Sequence, residues 1–91
     1  MKEILLHANA GGKMLTLYSV QIRRGKETER GYLIHDESDE ACENDRISGG
    51  IAGVDAPKNY EELETLFRLA FWTSDFHIDN QGVYVFDVVE V

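Results

Sequence analysis

Residues 59–74 read NYEELETLFRLAFWTS, and no other part of the 91-residue chain has so strong a helical pattern. At about 100° per residue, the apolar side chains gather on one face. These are Tyr60, Leu63, Leu66, Phe67 and Ala70, with Phe71 at the margin. Asn59 is placed to cap the first turn, and Glu62 is placed to complete a capping box. The stretch therefore predicts one amphipathic helix over residues 59–74.

The end of this predicted helix is apolar on all sides, because Leu69, Ala70, Phe71 and Trp72 follow one another. One interpretation is that the segment after the helix folds over this end and buries it. The other is that Leu69 and Trp72 form a contact surface, since Trp is enriched among the residues that dominate binding energy at protein interfaces. The sequence leaves both interpretations open.

Short apolar and alternating runs predict strands before and after the helix. They cover residues 3–8, 13–23, 31–35, 76–78 and 83–91, with a further edge strand within 47–54. Turn signals between the first three strands make them an antiparallel meander. We expect an α+β fold in one domain over residues 1–91, with an antiparallel sheet of four to five strands and the helix packed on one face.

The predicted final strand, residues 83–91, is largely apolar on both faces, which is typical of a strand covered on both sides. One helix covers only one face of a sheet. Sheet curvature, the long loop or another chain must therefore cover the second face. A homodimer is the simplest of these solutions. The candidate interface residues are Leu69, Trp72, Val83, Val85 and Val89.

Aromatic side chains predicted on the helix and the sheet suggest a second kind of site. A pocket lined by aromatic residues between helix and sheet is typical of small-ligand binding. The candidate lining residues are Tyr18, Tyr32, Phe67, Phe71 and Tyr84. A small-ligand-binding module is therefore an alternative to a protein-binding function.

Seventeen acidic residues against nine basic ones give a formal net charge of −8. This charge disfavours direct binding to nucleic acid, whose phosphates attract Lys and Arg, and it is compatible with a basic protein partner. The single cysteine excludes an internal disulfide, and no apolar run is long enough for a membrane span or a signal-peptide core. We therefore expect a cytoplasmic protein with no membrane partner.

The residues that carry chemistry do not form a recognisable set. His77 and Asp79 could share a strand face, but a zinc site needs three or four ligands. Counted from Asp36 at the start of the acidic segment 36–45, the sixth and twelfth positions hold Ala41 and Ile47, where a calcium-binding loop needs Gly and Glu. Cys42 has acidic neighbours, which disfavour a reactive thiolate. We predict no catalytic residue, no metal and no cofactor.

Together these observations favour a small acidic protein that acts by binding, with a regulatory or inhibitory role towards a larger macromolecule. The small-ligand module is the alternative. A small enzyme using His77, Asp79 or Asp87 ranks last, because these residues form no triad or metal set.

Overall fold

Seven strands and one α-helix are present in the computed structural model, which describes residues 3–38, 44–49 and 55–86. The strands are β1 (Glu3–Ala10), β2 (Lys13–Arg24), β3 (Glu27–Asp36), β4 (Arg46–Gly49), β5 (Phe71–Trp72), β6 (Phe76–Ile78) and β7 (Tyr84–Phe86). The helix, α1, spans Tyr60–Leu69, and a 3₁₀ turn at Thr73–Asp75 joins β5 to β6. The predicted α+β class is confirmed.

The sheet is mixed, with the strand order β5-β4-β3-β2-β7-β6. β2 pairs with β3 along one edge, while β1 and β7 share its other edge. β7 runs parallel to β2, with Ile22 opposite Tyr84. The prediction of a purely antiparallel sheet of four to five strands is therefore wrong. Sequence patterns indicate strands but not the direction of strands far apart in the chain, and a crossover containing a helix permits parallel pairing.

The helix begins as predicted and ends early. The Asn59 side chain accepts a hydrogen bond of 2.9 Å from the backbone N–H of Glu62, and Ala70 ends the helix with extended backbone angles. The predicted extension to residue 74 is wrong, because Phe71 and Trp72 pair with β4 instead. The strand edge offers hydrogen-bond partners to these two residues, and aromatic side chains favour extended backbone.

Some strand boundaries also differ from the predicted ones. β1 extends to Ala10 and β3 begins at Glu27, whereas the strand predicted over residues 76–78 is confirmed as β6. β7 accounts for three residues of the predicted strand 83–91, whose remainder beyond Phe86 lies outside the described residues. Residues 39–43 of the 36–45 segment and residues 50–54 also lie outside them.

Two apolar clusters lie on opposite faces of the sheet. The cross-strand pair Leu17–Ile34 points towards α1, and the next pair, Tyr18–Leu33, points the other way. The cluster under α1 contains the buried residues Leu15, Leu17, Ile34 and Leu63. The cluster on the second face contains Val20, Ile22, Leu33, Ile47, Phe76 and Tyr84.

Curvature of the sheet covers the second face. β5 and β6, at opposite ends of the strand order, are joined by the short 3₁₀ turn, so the two ends of the sheet lie close together. The rings of Phe71 on β5 and Phe86 on β7 are 5.9 Å apart, and those of Phe76 and Phe86 are 5.2 Å apart. The second face therefore needs no second chain to cover it. The homodimer predicted for that purpose stays a prediction.

Candidate functional site

Leu69 ends α1, Trp72 follows three positions later on β5, and Arg46 of β4 contacts the Trp72 ring. We call these three residues the Trp72 surface. Leu69 is 78% exposed and Trp72 is 51% exposed. The guanidinium carbon of Arg46 lies 4.7 Å from the centre of the Trp72 ring and 4.9 Å from that of Phe67. Arg46 is thus held between two aromatic rings by cation–π contacts.

The pairing of β4 with β5 builds this surface. Arg46 lies directly opposite Trp72 across the two strands, so both side chains point to the same face of the sheet. Phe67 reaches Arg46 from α1. The Nε atom of Arg46 is buried and has no hydrogen-bond partner within the described part of the chain. Aromatic contacts therefore hold this cation in place.

A groove of about 260 Å³ lies beside the Trp72 surface, between α1 and β4. Leu69 belongs to both, and Leu66 and Tyr32 add further apolar surface to the groove. The charged side chains that line it are Asp55 and Glu62, and no cationic side chain is among its described lining residues. The groove is therefore largely apolar, and of its two carboxylates Asp55 lies 3.6 Å from the Lys58 ammonium.

The predicted interface residues that the structure describes lie in different parts of the fold. Leu69 and Trp72 are both exposed, Leu69 at the end of α1 and Trp72 three positions later on β5. Val83 is buried, and Val85 lies on β7 opposite Arg23, on the other side of β2 from β3 and β4. Val89 lies outside the described residues.

The five predicted pocket residues are also divided by the sheet. Tyr18 and Tyr84 belong to the cluster on the second face of the sheet, where Phe71 contacts Phe86. Tyr32 and Phe67 pack against the cluster under α1. The structure does not bring these five residues into one pocket, and Tyr32 alone among them lines the groove.

A network of histidines and carboxylates at the start of β2 has no counterpart in the sequence analysis. The Nδ1 atom of His35 lies 2.6 Å from Oδ1 of Asp45, and its Nε2 atom lies 3.8 Å from Oε2 of Glu37. The buried Thr16 hydroxyl donates to Glu37, and Nδ1 of His7 lies 3.0 Å from that hydroxyl. His7, Thr16 and His35 are cross-strand neighbours on β1, β2 and β3.

The contacts within this network favour a structural role, because its members satisfy one another's hydrogen bonds. None of them lines the groove beside the Trp72 surface. No pattern of neighbouring residues in the sequence could have paired His35 with Asp45, because the pairing depends on where β3 ends and β4 begins. Within the described ranges, no three His, Cys, Asp or Glu side chains are placed to hold a metal ion.

Asp79 is one of the three residues that a small enzyme was predicted to use. It stabilises the turn between β6 and β7. Its Oδ1 atom accepts hydrogen bonds from the backbone N–H groups of Gln81 at 2.8 Å and Val83 at 2.9 Å, and its Oδ2 atom lies 3.3 Å from Arg23. The Val83 hydrogen bond is the largest influence on the pKa of Asp79, which is lowered despite opposing desolvation. His77 lies on β6 opposite Val85, and Asp87 lies outside the described residues.

Asp36, at the end of β3, has a comparable role in the turn that follows this strand. Its Oδ1 atom accepts hydrogen bonds from the Ser38 backbone N–H at 2.9 Å and the Ser38 hydroxyl at 2.6 Å, and Lys13 lies 3.8 Å away. Burial by itself would raise the pKa of Asp36. The Ser38 hydrogen bonds and the Lys13 charge outweigh burial and lower it.

Comparisons with known proteins identify no relative. No protein-family model, curated protein or solved structure matches the chain. In the part of the chain that the structure describes, the helix is too short and too polar to cross a membrane.

Proposed function

We propose that this chain is a binding protein, and that its Trp72 surface and the adjoining groove bind an apolar segment of a larger protein that carries Lys or Arg beside its apolar side chains. The exposure of two large apolar side chains, Leu69 and Trp72, three positions apart at the end of α1 carries this proposal. Large exposed apolar side chains grouped in this way are typical of interaction sites.

The fixed position of the Trp72 ring supports a binding role. Arg46 stacks on it, and the β4–β5 pairing holds its backbone. A side chain that is ordered before binding loses less conformational entropy when a partner arrives. Trp and Arg are also the residue types that most often dominate binding energy at interfaces.

The charges around the groove support a basic partner. Asp55 and Glu62 line the groove, and the molecule as a whole carries a formal net charge of −8. Complementary charge speeds association and disfavours acidic competitors. The small size and acidity of the chain fit a regulatory or inhibitory role towards such a partner.

A small ligand is a less suitable occupant. Small-molecule pockets usually enclose about 300 to 1,000 Å³, and the groove of about 260 Å³ is smaller than this range. It matches one or two side chains of a docked protein segment more closely.

Tryptophan fluorescence provides a direct test, because Trp72 is the only tryptophan in the chain. Peptides with a Leu- or Phe-containing core would be titrated in two matched sets, one flanked by Lys and Arg and the other by Glu. We expect the basic set to shift the Trp72 emission to shorter wavelength and to bind more tightly, by a margin that added salt reduces.

Two variants locate the binding. Leu69→Ser removes exposed apolar surface without adding a charge and should weaken binding of the basic-flanked set about tenfold or more. The control Ile78→Ser changes an exposed apolar residue on β6 in the same way and should leave affinity unchanged. Equal binding of both peptide sets, or undiminished binding by the Leu69→Ser variant, would contradict the proposal.

A further inference from the structure

Asp45, the residue before β4, connects three strands next to the Trp72 surface. Its Oδ1 atom lies 2.6 Å from Nδ1 of His35 on β3, and its backbone oxygen accepts a hydrogen bond of 3.1 Å from the N–H of Thr73. Asp45 directly precedes Arg46, and Thr73 directly follows Trp72. Asp45 therefore links the start of β4 both to β3 and to the end of β5.

These links are important because the pairing of β4 with β5 is short. β5 has two residues, and its register on β4 consists of two pairs, one of which is Arg46–Trp72. Segments with few contacts open locally more readily than long strands do. The Thr73–Asp45 hydrogen bond extends the pairing beyond Trp72, and the His35 contact holds Asp45 on β3. Both contacts therefore support the stacking of Arg46 on Trp72.

His35 has a carboxylate close to each of its ring nitrogens. Its Nε2 atom lies 3.8 Å from Oε2 of Glu37, in addition to the Asp45 contact at Nδ1. The side chains of His35 and Asp45 are only 16% and 12% exposed, so dissolved salt screens their contact little. A protonated imidazole donates hydrogen bonds from both nitrogens, whereas a neutral imidazole donates from one. Protonation therefore gives His35 an N–H for each of the two carboxylates.

The other titratable groups near His35 have partners of their own. His7 on β1 contacts the Thr16 hydroxyl, 3.0 Å from its Nδ1. The charge of Asp36 interacts with that of His35, but the Asp36 side chain lies on the opposite face of the sheet and pairs with Lys13. Within the described ranges, the carboxylates at its two ring nitrogens are thus the groups in closest contact with the His35 charge.

We infer that the charge of His35 positions the Trp72 surface, so that this surface binds more tightly when His35 is protonated. Protonation adds the attraction between opposite charges to the hydrogen bond with Asp45. The neutral ring keeps its hydrogen at Nδ1, against the nearer carboxylate, so that Nε2 no longer donates towards Glu37. The effect on affinity rests on the proposed binding function, whereas the effect on Trp72 is a property of the unbound chain.

Two titrations of the unbound protein test the coupling. The ring protons of His35 and the indole N–H of Trp72 would be followed by NMR between about pH 5 and pH 8, the range in which histidine side chains change charge. Trp72 fluorescence would be recorded over the same range. We expect both Trp72 signals to change with the midpoint of His35. Trp72 signals that stay constant, or that change with a different midpoint, would overturn the inference.

Matched variants assign the transition to His35. The amide in His35→Gln retains a donor for Asp45 but does not titrate, so the change in the Trp72 signals should disappear. His77→Gln makes the same substitution at an exposed position on β6 and should keep the change. Circular dichroism across the pH range verifies folding. If His35→Gln is unfolded, Asp45→Asn replaces it and should reduce the Trp72 change while His35 still titrates. A wild-type transition in the folded variant would overturn the inference.

Peptide binding tests the effect on affinity. Arg-flanked apolar peptides with acetylated and amidated ends carry no group that titrates in this range. We expect them to bind about threefold or more tightly near pH 5 than near pH 8, and this dependence to be lost in His35→Gln. Equal affinity at both pH values would contradict the effect. If the peptides bind at neither pH while Trp72 still follows His35, the proposed function is wrong and the coupling is supported.

Discussion

Gly31, on β3, lies where side chains of the second face are closely packed. A Cβ atom at this position would lie 2.0 Å from Cδ1 of Ile22 and 2.9 Å from the backbone oxygen of Ser48. Ile22 is completely buried and packs within the cluster on the second face. The absence of a side chain at Gly31 therefore makes room for the Ile22 side chain.

We expect Gly31→Ala to destabilise the fold by about 1 to 3 kcal/mol, the usual cost of overpacking a well-packed core. Ile22→Val removes Cδ1 and should reduce that cost, so that the two substitutions are not additive in a double-mutant cycle followed by urea unfolding. Gly49→Ala is the control. Its added Cβ would meet the Glu29 carboxylate, which is part of a flexible and partly exposed side chain. Additive effects of Gly31→Ala and Ile22→Val would contradict this packing.

Arg46 is the residue of the candidate site that sequence reasoning could least have found. Nothing in its neighbours distinguishes it from the other basic residues of this acidic chain. Its role comes from Phe67 on α1 and Trp72 on β5, which are 21 and 26 positions further along the sequence and meet it only after folding. Leu69 and Trp72 carried a local signal, the run of four apolar residues at the end of the helical pattern.

At the scale of elements, α1 and β5 divide the stretch that first indicated the helix. The capped start and the buried Leu63 belong to α1, as the apolar periodicity predicts. The last apolar residues had two possible structures, a further helical turn or a strand. Pairing with β4 decided between them, and such tertiary contacts routinely override local propensity.

The same substitution at two positions of α1 should separate its roles in stability and binding. Leu63→Ala should lower the free energy of unfolding by about 2 to 5 kcal/mol, because Leu63 is completely buried between the helix and the sheet. Leu69→Ala should change it by less than about 0.5 kcal/mol, because that side chain is 78% exposed. Urea unfolding followed by far-ultraviolet circular dichroism measures both. A large loss of stability in the Leu69→Ala variant would show that Leu69 has a structural role.

At the scale of the whole molecule, the sheet closes on itself closely enough to cover the face that α1 leaves open. The long strand β2 makes this possible, because its second edge pairs with β1 over residues 13–19 and with β7 at Ile22 and Arg23. Two turns that contribute to this arrangement depend on ionised carboxylates, Asp36 after β3 and Asp79 between β6 and β7.

The lowered pKa values of these two carboxyl groups predict how stability depends on pH. Both fall below the ordinary value of 3.8 in the folded chain. Their contribution to stability is therefore fully present above that value and is lost as the pH falls through the folded-state pKa values. Thermal unfolding midpoints measured between neutral and strongly acidic pH should show this loss.

Asp79→Asn should reduce the acid-dependent part of the loss, because an amide accepts the same hydrogen bonds without titrating. It should also lower stability at neutral pH, because Arg23 loses its ionic partner. Glu27→Gln, a charge removal at the exposed start of β3, serves as the control. An unchanged pH profile in the Asp79→Asn variant would show that this carboxylate does not contribute.

The sequence by itself determined the α+β class, the capped start of the helix, its buried face and, except for β5, the segments that become strands. Capping and periodicity depend on residues a few positions apart. Only the tertiary structure decided the parallel β2–β7 pairing, the end of α1 at Leu69 and the curl that covers the second face, because these depend on contacts between distant segments. Sequence and tertiary structure both contributed to the role of the apolar run at the end of the helical stretch. Its composition marked a candidate surface, and the pairing of β5 with β4 placed Trp72 against Arg46 and left it exposed.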